Sequence, residues 1–197
     1  MKLNWAERWV VNNPIRVQEQ RILVRLLKRM LPLNPGRTVL EIGCGRGAGA
    51  AMILAEFQPA VLHAMDLDIC MIQKAGSYLT STEKRKISFF AGDALHLPYR
   101  SESLDAVFGF GVLHHIPDWR STVVEIARVL KTGGVYYLEE LYPSLYQNFI
   151  TKHILLHPEE DRFFGHHLKE ALNGAKLNFK DAMEIRKVGI LGVFIKA

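Results

Sequence analysis

Glu41, Asp66 and Asp93 each stand at the end of an apolar run, and glycines follow the first of them at positions 43, 45 and 47. Val39-Leu40-Glu41-Ile42 reads as a strand entering the loop Gly43-Cys44-Gly45-Arg46-Gly47. Glycine reaches positive φ and carries no Cβ, so this loop can turn sharply and let a ligand touch its backbone. The spacing predicts a helix over Ala48 to Phe57, whose first N–H groups would point at that ligand. A second strand, Ala60 to Met65, ends in Asp66, 19 residues beyond Gly47. A carboxylate at that tip is placed to accept both hydroxyls of a ribose. The chemistry announced is that of a nucleoside-cofactor site.

Two cofactor classes use such a site. Read as Gly43-x-Gly45-x-x-Ala48, the loop satisfies the dinucleotide fingerprint in its alanine variant. Glu41 argues the other way, because a carboxylate two residues before the first glycine repels a pyrophosphate and welcomes a cation. Ile87 to Ala94 reads as a third strand that ends in an acid, Asp93, and Leu104 to Phe110 as a fourth. Leu130-Lys131-Thr132-Gly133-Gly134 would end a helix before a fifth.

Taken in order from about Thr38 to Glu140, roughly half the chain, these pieces resemble the class I S-adenosylmethionine-dependent methyltransferases. The resemblance is strongest to the branch with the ubiquinone and menaquinone C-methyltransferases, the methyltransferase type 11 branch. It implies that Glu41, Gly43 and Gly45 lie along the methionine moiety of S-adenosyl-L-methionine, that Asp66 holds the ribose, and that Asp93 meets the adenine amino group. Cys44, Leu67, Gly92, Ala94 and Phe110 would complete the cofactor site. Thr132 stands where the family usually has proline, a departure that touches a turn.

The elements that must position these residues form one α/β domain. Strands alternating with helices demand a parallel sheet covered on both faces. Ala182 to Val188 and Leu191 to Lys196 are strand-like and separated by little more than Gly189, which is too short for a parallel crossover. The expectation is a Rossmann-like three-layer sandwich with a mostly parallel seven-stranded sheet and an antiparallel C-terminal hairpin. Asp118 is placed to cap a helix running through Leu130 and ending at Gly133.

Methyl transfer from a sulfonium needs alignment and exclusion of water, and a base only where the acceptor must lose a proton. After strand four, His114 and His115 offer imidazoles that titrate near neutrality and are the candidates for a base, although packing and a backbone hydrogen bond are the more ordinary occupation for such side chains. Glu139 and Glu140 after strand five rank next. Phe108-Gly109-Phe110-Gly111 supplies no carboxylate for a hard cation. Neither Cys44 in the loop nor Cys70 on a helix is placed to be a nucleophile. His153 and His157 at i, i+4, with His166 and His167 nearby, lack a third ligand of matching spacing, so no metal is expected. Leu141 to Ile150 is rich in aromatic residues that could line an acceptor pocket, and Phe163 and Phe164 extend it.

The net charge of +5 is concentrated in residues 1–37, where eight Lys or Arg face Glu7 and Glu19. Those residues read as a basic amphipathic helical cap, with Pro14 to Leu31 helical, an apolar stripe of Ile22, Leu23, Leu26, Leu27 and Met30, and Arg21, Arg25, Lys28 and Arg29 opposite. Residues 38–197 read as the cofactor domain. A small apolar or aromatic substrate is the expected partner and nucleic acid is not. The basic helix could lie on an anionic membrane, and oligomeric state is left open. Two cysteines form no disulfide framework, no run approaches the 18 apolar residues of a membrane span, and Trp5, Glu7, Arg8 and Trp9 do not form a signal sequence. A cytoplasmic location is expected. A nicotinamide dehydrogenase, a non-catalytic cofactor-binding module, and a methyltransferase of RNA or of membrane lipid remain as rival readings.

Overall fold

The computed structural model describes residues 13–146 and 161–197. The helix α1 (Pro14–Met30) starts where the Asn13 side chain accepts the N–H groups of Ile15 and Arg16, with proline in its first turn. The alternation expected from Thr38 onward then follows as β1 (Thr38–Ile42), α2 (Ala48–Phe57), β2 (Val61–Asp66), α3 (Ile69–Tyr78), α4 (Ser81–Lys86), β3 (Ile87–Ala91) and β4 (Leu104–Phe110). After β4 come a 3-10 turn at Leu113–His115, α5 (Trp119–Val129), β5 (Leu130–Leu141), α6 (Pro143–Tyr146), α7 (Gly165–Gly174), β6 (Leu177–Ile185) and β7 (Gly189–Lys196). The seven strands form one sheet in the order β3-β2-β1-β4-β5-β7-β6. The first five pair in parallel, and β7 runs antiparallel to both β5 and β6. Strand order reverses between β1 and β4, so their carboxyl ends open a crevice there.

Two apolar clusters hold the layers together. On one face Val24 and Leu27 of α1 and Ile53 and Phe57 of α2 pack with Val39, Phe108, Tyr137, Leu191 and Val193 of the sheet. On the other, Trp119, Val123 and Ile126 of α5 and Leu168 and Leu172 of α7 pack on Leu40, Val107, Tyr136 and Phe194. The basic side of α1 is not simply solvated: Arg25 Nε lies 2.9 Å from Glu56 Oε1, and Lys28 Nζ donates to the Glu56 carbonyl at 2.5 Å. Ile22, expected on the buried stripe, is exposed, and Val24 takes the inward place.

Three boundaries differ from the sequence reading. The helix capped by Asp118 stops at Val129, and extended φ and ψ at Leu130 start β5 there; Gly133, at φ 75°, serves a bend inside that strand rather than a helix end. The third strand ends at Ala91, which leaves Asp93 in the following turn. The edge strand of the hairpin begins at Leu177, five residues before Ala182, because backbone pairing to β7 carries it through a bulge between Phe179 and Asp181. Gln147–Ile150, His153, His157, Trp5, Glu7, Arg8 and Trp9 lie outside the described residues. Among the described residues no helix is long and apolar enough to cross a membrane.

Candidate functional site

The loop between β1 and α2 builds one wall of the site. Gly43, Gly45 and Gly47 all have positive φ (68°, 54° and 87°), a region L side chains rarely enter. Cys44 N–H donates to the Met65 carbonyl at 2.9 Å, which ties the loop to the end of β2. Asp66 completes that tie: Oδ2 accepts the Gly45 N–H and Oδ1 accepts the Asp68 N–H, both at 2.8 Å. Asp68 caps α3 by accepting the Cys70 N–H at 3.0 Å, and it is itself buried.

The crevice encloses a cavity of about 230 Å³. All ten residues expected around a cofactor line it: Glu41, Gly43, Cys44 and Gly45 from the loop, Asp66 and Leu67 after β2, Gly92, Asp93 and Ala94 after β3, and Phe110 at the end of β4. The Asp93 side chain is held by the Leu95 N–H at 3.0 Å, in the turn that follows β3.

Glu41 is the unusual member. It is 2% exposed, its carboxyl accepts the backbone N–H of Ala50, and Oε2 has no hydrogen-bond partner. Burial, followed by the neighbouring Asp66 charge, pushes its pKa up to about 8. A buried carboxylate oxygen without a partner costs on the order of 1–3 kcal/mol or more, so the site is built for a donor or cation at that point. Gly49, in the first turn of α2, makes the room: a Cβ there would stand 2.0 Å from Glu41 Oε1. Gly49 lies one residue beyond the Gly43-x-Gly45-x-x-Ala48 fingerprint, whose spacing gives no signal for it.

The two histidines part company. His115 lines the cavity beside Val112, Ile116 and Pro117. His114 is buried and does not line the cavity; its Nδ1 lies 2.8 Å from Glu140 Oε2, and its carbonyl accepts from Arg162 Nη1. Glu140, fully buried at the end of β5, also accepts the N–H groups of Val112 and Leu113 at 3.0 and 2.7 Å. It thereby holds the turn after β4 in place. Glu139 points to the other face of the sheet, where Arg16 Nη2 donates to its Oε2 at 2.5 Å. Burial raises the Glu139 carboxyl, and the Arg16 guanidinium draws it back down.

Arg16 and Gln20 of α1 also line the cavity. Their four-residue spacing on the helix face continued by Val24 and Leu27 was the available signal; counting charge placed Arg16 only in a basic segment. His166 and His167 stand in the first turn of α7, away from the cavity lining.

Comparison with known proteins adds a finding of a different kind. A family described as "Methyltransferase domain" matches residues 40–138. The chain is 34% identical over 111 residues to the phthiotriol/phenolphthiotriol dimycocerosates methyltransferase of Mycobacterium tuberculosis, which is 55% of this chain and 39% of that protein. It is 32% identical over 127 residues to a sterol 24-C-methyltransferase of Gibberella zeae, 62% of this chain and 32% of that one. The matched region thus spans about a third to two fifths of the length of these relatives. A SAM-dependent methyltransferase from Aquifex aeolicus has the same fold over its whole length, with a TM-score of 0.78 at 16% identity and 100% of each chain covered.

Proposed function

The chain belongs to the methyltransferase domain family, and from that premise we propose that it binds S-adenosyl-L-methionine and methylates a small apolar or aromatic molecule at oxygen or carbon. The observation that carries this reading is the buried, unpartnered Oε2 of Glu41 on the cavity wall. A carboxylate in that position suits the cationic amino acid end of this cofactor and repels a pyrophosphate, which favours S-adenosylmethionine over a nicotinamide dinucleotide. The residues present fit the group. Glu41, Gly43 and Gly45 would hold the methionine moiety, with Cys44 behind them; Asp66 and Leu67 the ribose; Gly92, Asp93, Ala94 and Phe110 the adenine.

The cofactor, when bound, supplies a methyl group on a sulfonium that is already a good leaving group. The chain's own part is to align an acceptor in line with that methyl and to keep water out. Val112, His115 and Ile116, on the turn that Glu140 fixes, would form the acceptor side. His115 would take the proton of a hydroxyl acceptor, and His114 would support the turn without touching the acceptor. Residues 1–37 would act as a cap on a domain of residues 38–197, because Arg16 and Gln20 close one side of the cavity. An apolar acceptor is supported by the relatives named for phthiotriol derivatives and for a sterol.

Calorimetry with S-adenosylmethionine, S-adenosylhomocysteine and NAD tests the cofactor assignment: heat with the first two and none with NAD is the expected result, and heat with NAD alone overturns it. Consumption of S-adenosylmethionine against a panel of apolar hydroxyl and carbon acceptors then tests turnover. Binding without turnover on any acceptor would favour a cofactor-binding module over an enzyme.

A further inference from the structure

Five large apolar side chains are exposed along one flank of the molecule: Ile15 (78%) and Ile22 (60%) on α1, Met183 (54%) and Ile185 (66%) on β6, and Val188 (39%) in the hairpin turn. The strand register places them together. Glu139 pairs with Leu191, and Leu191 pairs with Met183, so the three share one row and one face of the sheet. Arg16, the neighbour of Ile15, binds Glu139 in that row. Met183 therefore lies two strands, about 10 Å, from the point where the start of α1 touches the sheet.

The helix geometry agrees. Leu27 faces the core and Lys28 reaches Glu56 on α2. Successive residues are about 100° apart around a helix, so Leu26 projects away from α2, toward the β7 and β6 side. Ile22 and Ile15 follow Leu26 at close to the same angle, and Arg29 continues the line at a seven-residue interval from Ile22. The edge strand β6 offers Met183 and Ile185 on this face, and Ile185 pairs with Gly189, which has no side chain to cover it.

The charge around the patch is mostly basic. Arg29, Arg186 and Lys187 are exposed at its borders; Asp181 is the acid on the same face of β6, and Glu19 is paired with Arg16. We propose that this flank docks on an anionic lipid surface, with Ile15, Ile22, Met183 and Ile185 entering the interface and Arg29, Arg186 and Lys187 meeting the headgroups. Apolar side chains ringed by exposed cations are the chemistry that recognises such a surface. Docking there puts the α1 side of the cavity, Arg16 and Gln20, next to the lipid. The inference goes beyond the methyl-transfer reading and survives its failure, since vesicle binding and cofactor binding are separate measurements.

The test is co-sedimentation of the full chain with vesicles of phosphatidylglycerol and phosphatidylcholine in equal parts, with phosphatidylcholine vesicles as the comparison. The expected result is sedimentation with the first and not the second, weakened by added salt. Each basic residue near an anionic surface is worth roughly fivefold in affinity, so Arg186→Gln/Lys187→Gln should weaken binding about twenty-five-fold. Ile22→Ser/Ile185→Ser should also abolish sedimentation, with both variants keeping the wild-type far-UV spectrum and affinity for S-adenosylhomocysteine. A wild-type chain that stays in solution with the anionic vesicles overturns the proposal, and so do variants that bind as the wild type does. A vesicle-free dimer that Ile22→Ser/Ile185→Ser converts to a monomer would assign the flank to a second copy of the chain and overturn it as well.

Discussion

Glu41 concentrates the chemistry of the site in one side chain. Its pKa of about 8 means that the empty protein carries a proton there at neutral pH, whereas an unfolded chain would lose it near the ordinary glutamate value of about 4.3. The folded state therefore binds the extra proton, and stability of the empty protein should fall as pH rises from about 4.3 to about 8. Glu41→Gln should remove that slope in urea titrations run across this range. A cationic ligand favours the ionised form, so its binding should expel the proton. Affinity for S-adenosylmethionine is then expected to rise by up to about tenfold per pH unit toward pH 8, with proton release visible as a dependence of calorimetric heat on buffer ionisation. Gly49→Ala presses a methyl against Glu41 Oε1 and should abolish cofactor binding, as read by calorimetry, although alanine favours the helix by about 1 kcal/mol. Asp66→Ala should weaken binding by roughly ten- to a hundred-fold, at about 1.5–3 kcal/mol for a hydrogen bond to a charged group. Because Asp66 also holds the N–H groups of Gly45 and Asp68, that variant should lose stability too. Asp68→Ala removes a helix cap and should cost about 1 kcal/mol.

At the scale of elements, the turn after β4 and the helix α1 decide what faces the cavity. The turn carries no regular secondary structure beyond one 3-10 turn, and Glu140 replaces that missing support with hydrogen bonds to Val112, Leu113 and His114. Glu140→Gln keeps the shape but can only accept through one oxygen, so it should lower kcat and raise KM for the acceptor while leaving S-adenosylhomocysteine affinity within a few fold. Equal losses in both would mean that Glu140 supports the whole fold and not this turn. The start of α1 is fixed by Arg16, whose partner Glu139 is buried. Removing one member of a buried ion pair typically costs about 3–5 kcal/mol. Arg16→Met should fall at the lower end of that range in urea denaturation, because the guanidinium is partly exposed.

On the scale of the whole molecule, one seven-stranded sheet joins every element of the site, so a ligand in the crevice should stabilise the entire domain. S-adenosylhomocysteine at a hundred times its Kd adds about 2.7 kcal/mol, which corresponds to a rise of roughly 5–10 °C in Tm for a chain of this size. The same concentration of NAD should leave Tm unchanged. The sheet also accounts for the uneven surface: α1, α2 and α3 cover one face and α5 and α7 the other, yet the edge strand, β6, extends past α1 and leaves its apolar side chains in the open.

The order of strands and helices, the glycine loop with its following helix, the antiparallel ending and the placement of Glu41 and Asp66 at strand tips were legible in the chain, because local periodicity and turn chemistry fix them within a few residues of sequence; Asp93 falls two residues beyond the end of its strand. That the ten residues share one cavity could be read for the same reason, as each sits at or just past the end of such a local element. Tertiary structure alone decided which histidine faces the cavity, since His114 and His115 are adjacent in sequence and differ only in whether Glu140, 26 residues after His114, captures the side chain. It likewise decided that Arg16 reaches Glu139 across 123 positions, that Gly49 rather than a loop glycine makes room for a carboxylate, and that Leu130 leaves its helix to pair with Leu104. The histidine, arginine and Leu130 contacts join segments far apart along the chain, and the Gly49 contact depends on how α2 folds back against β1; periodicity within one segment carries no information about them.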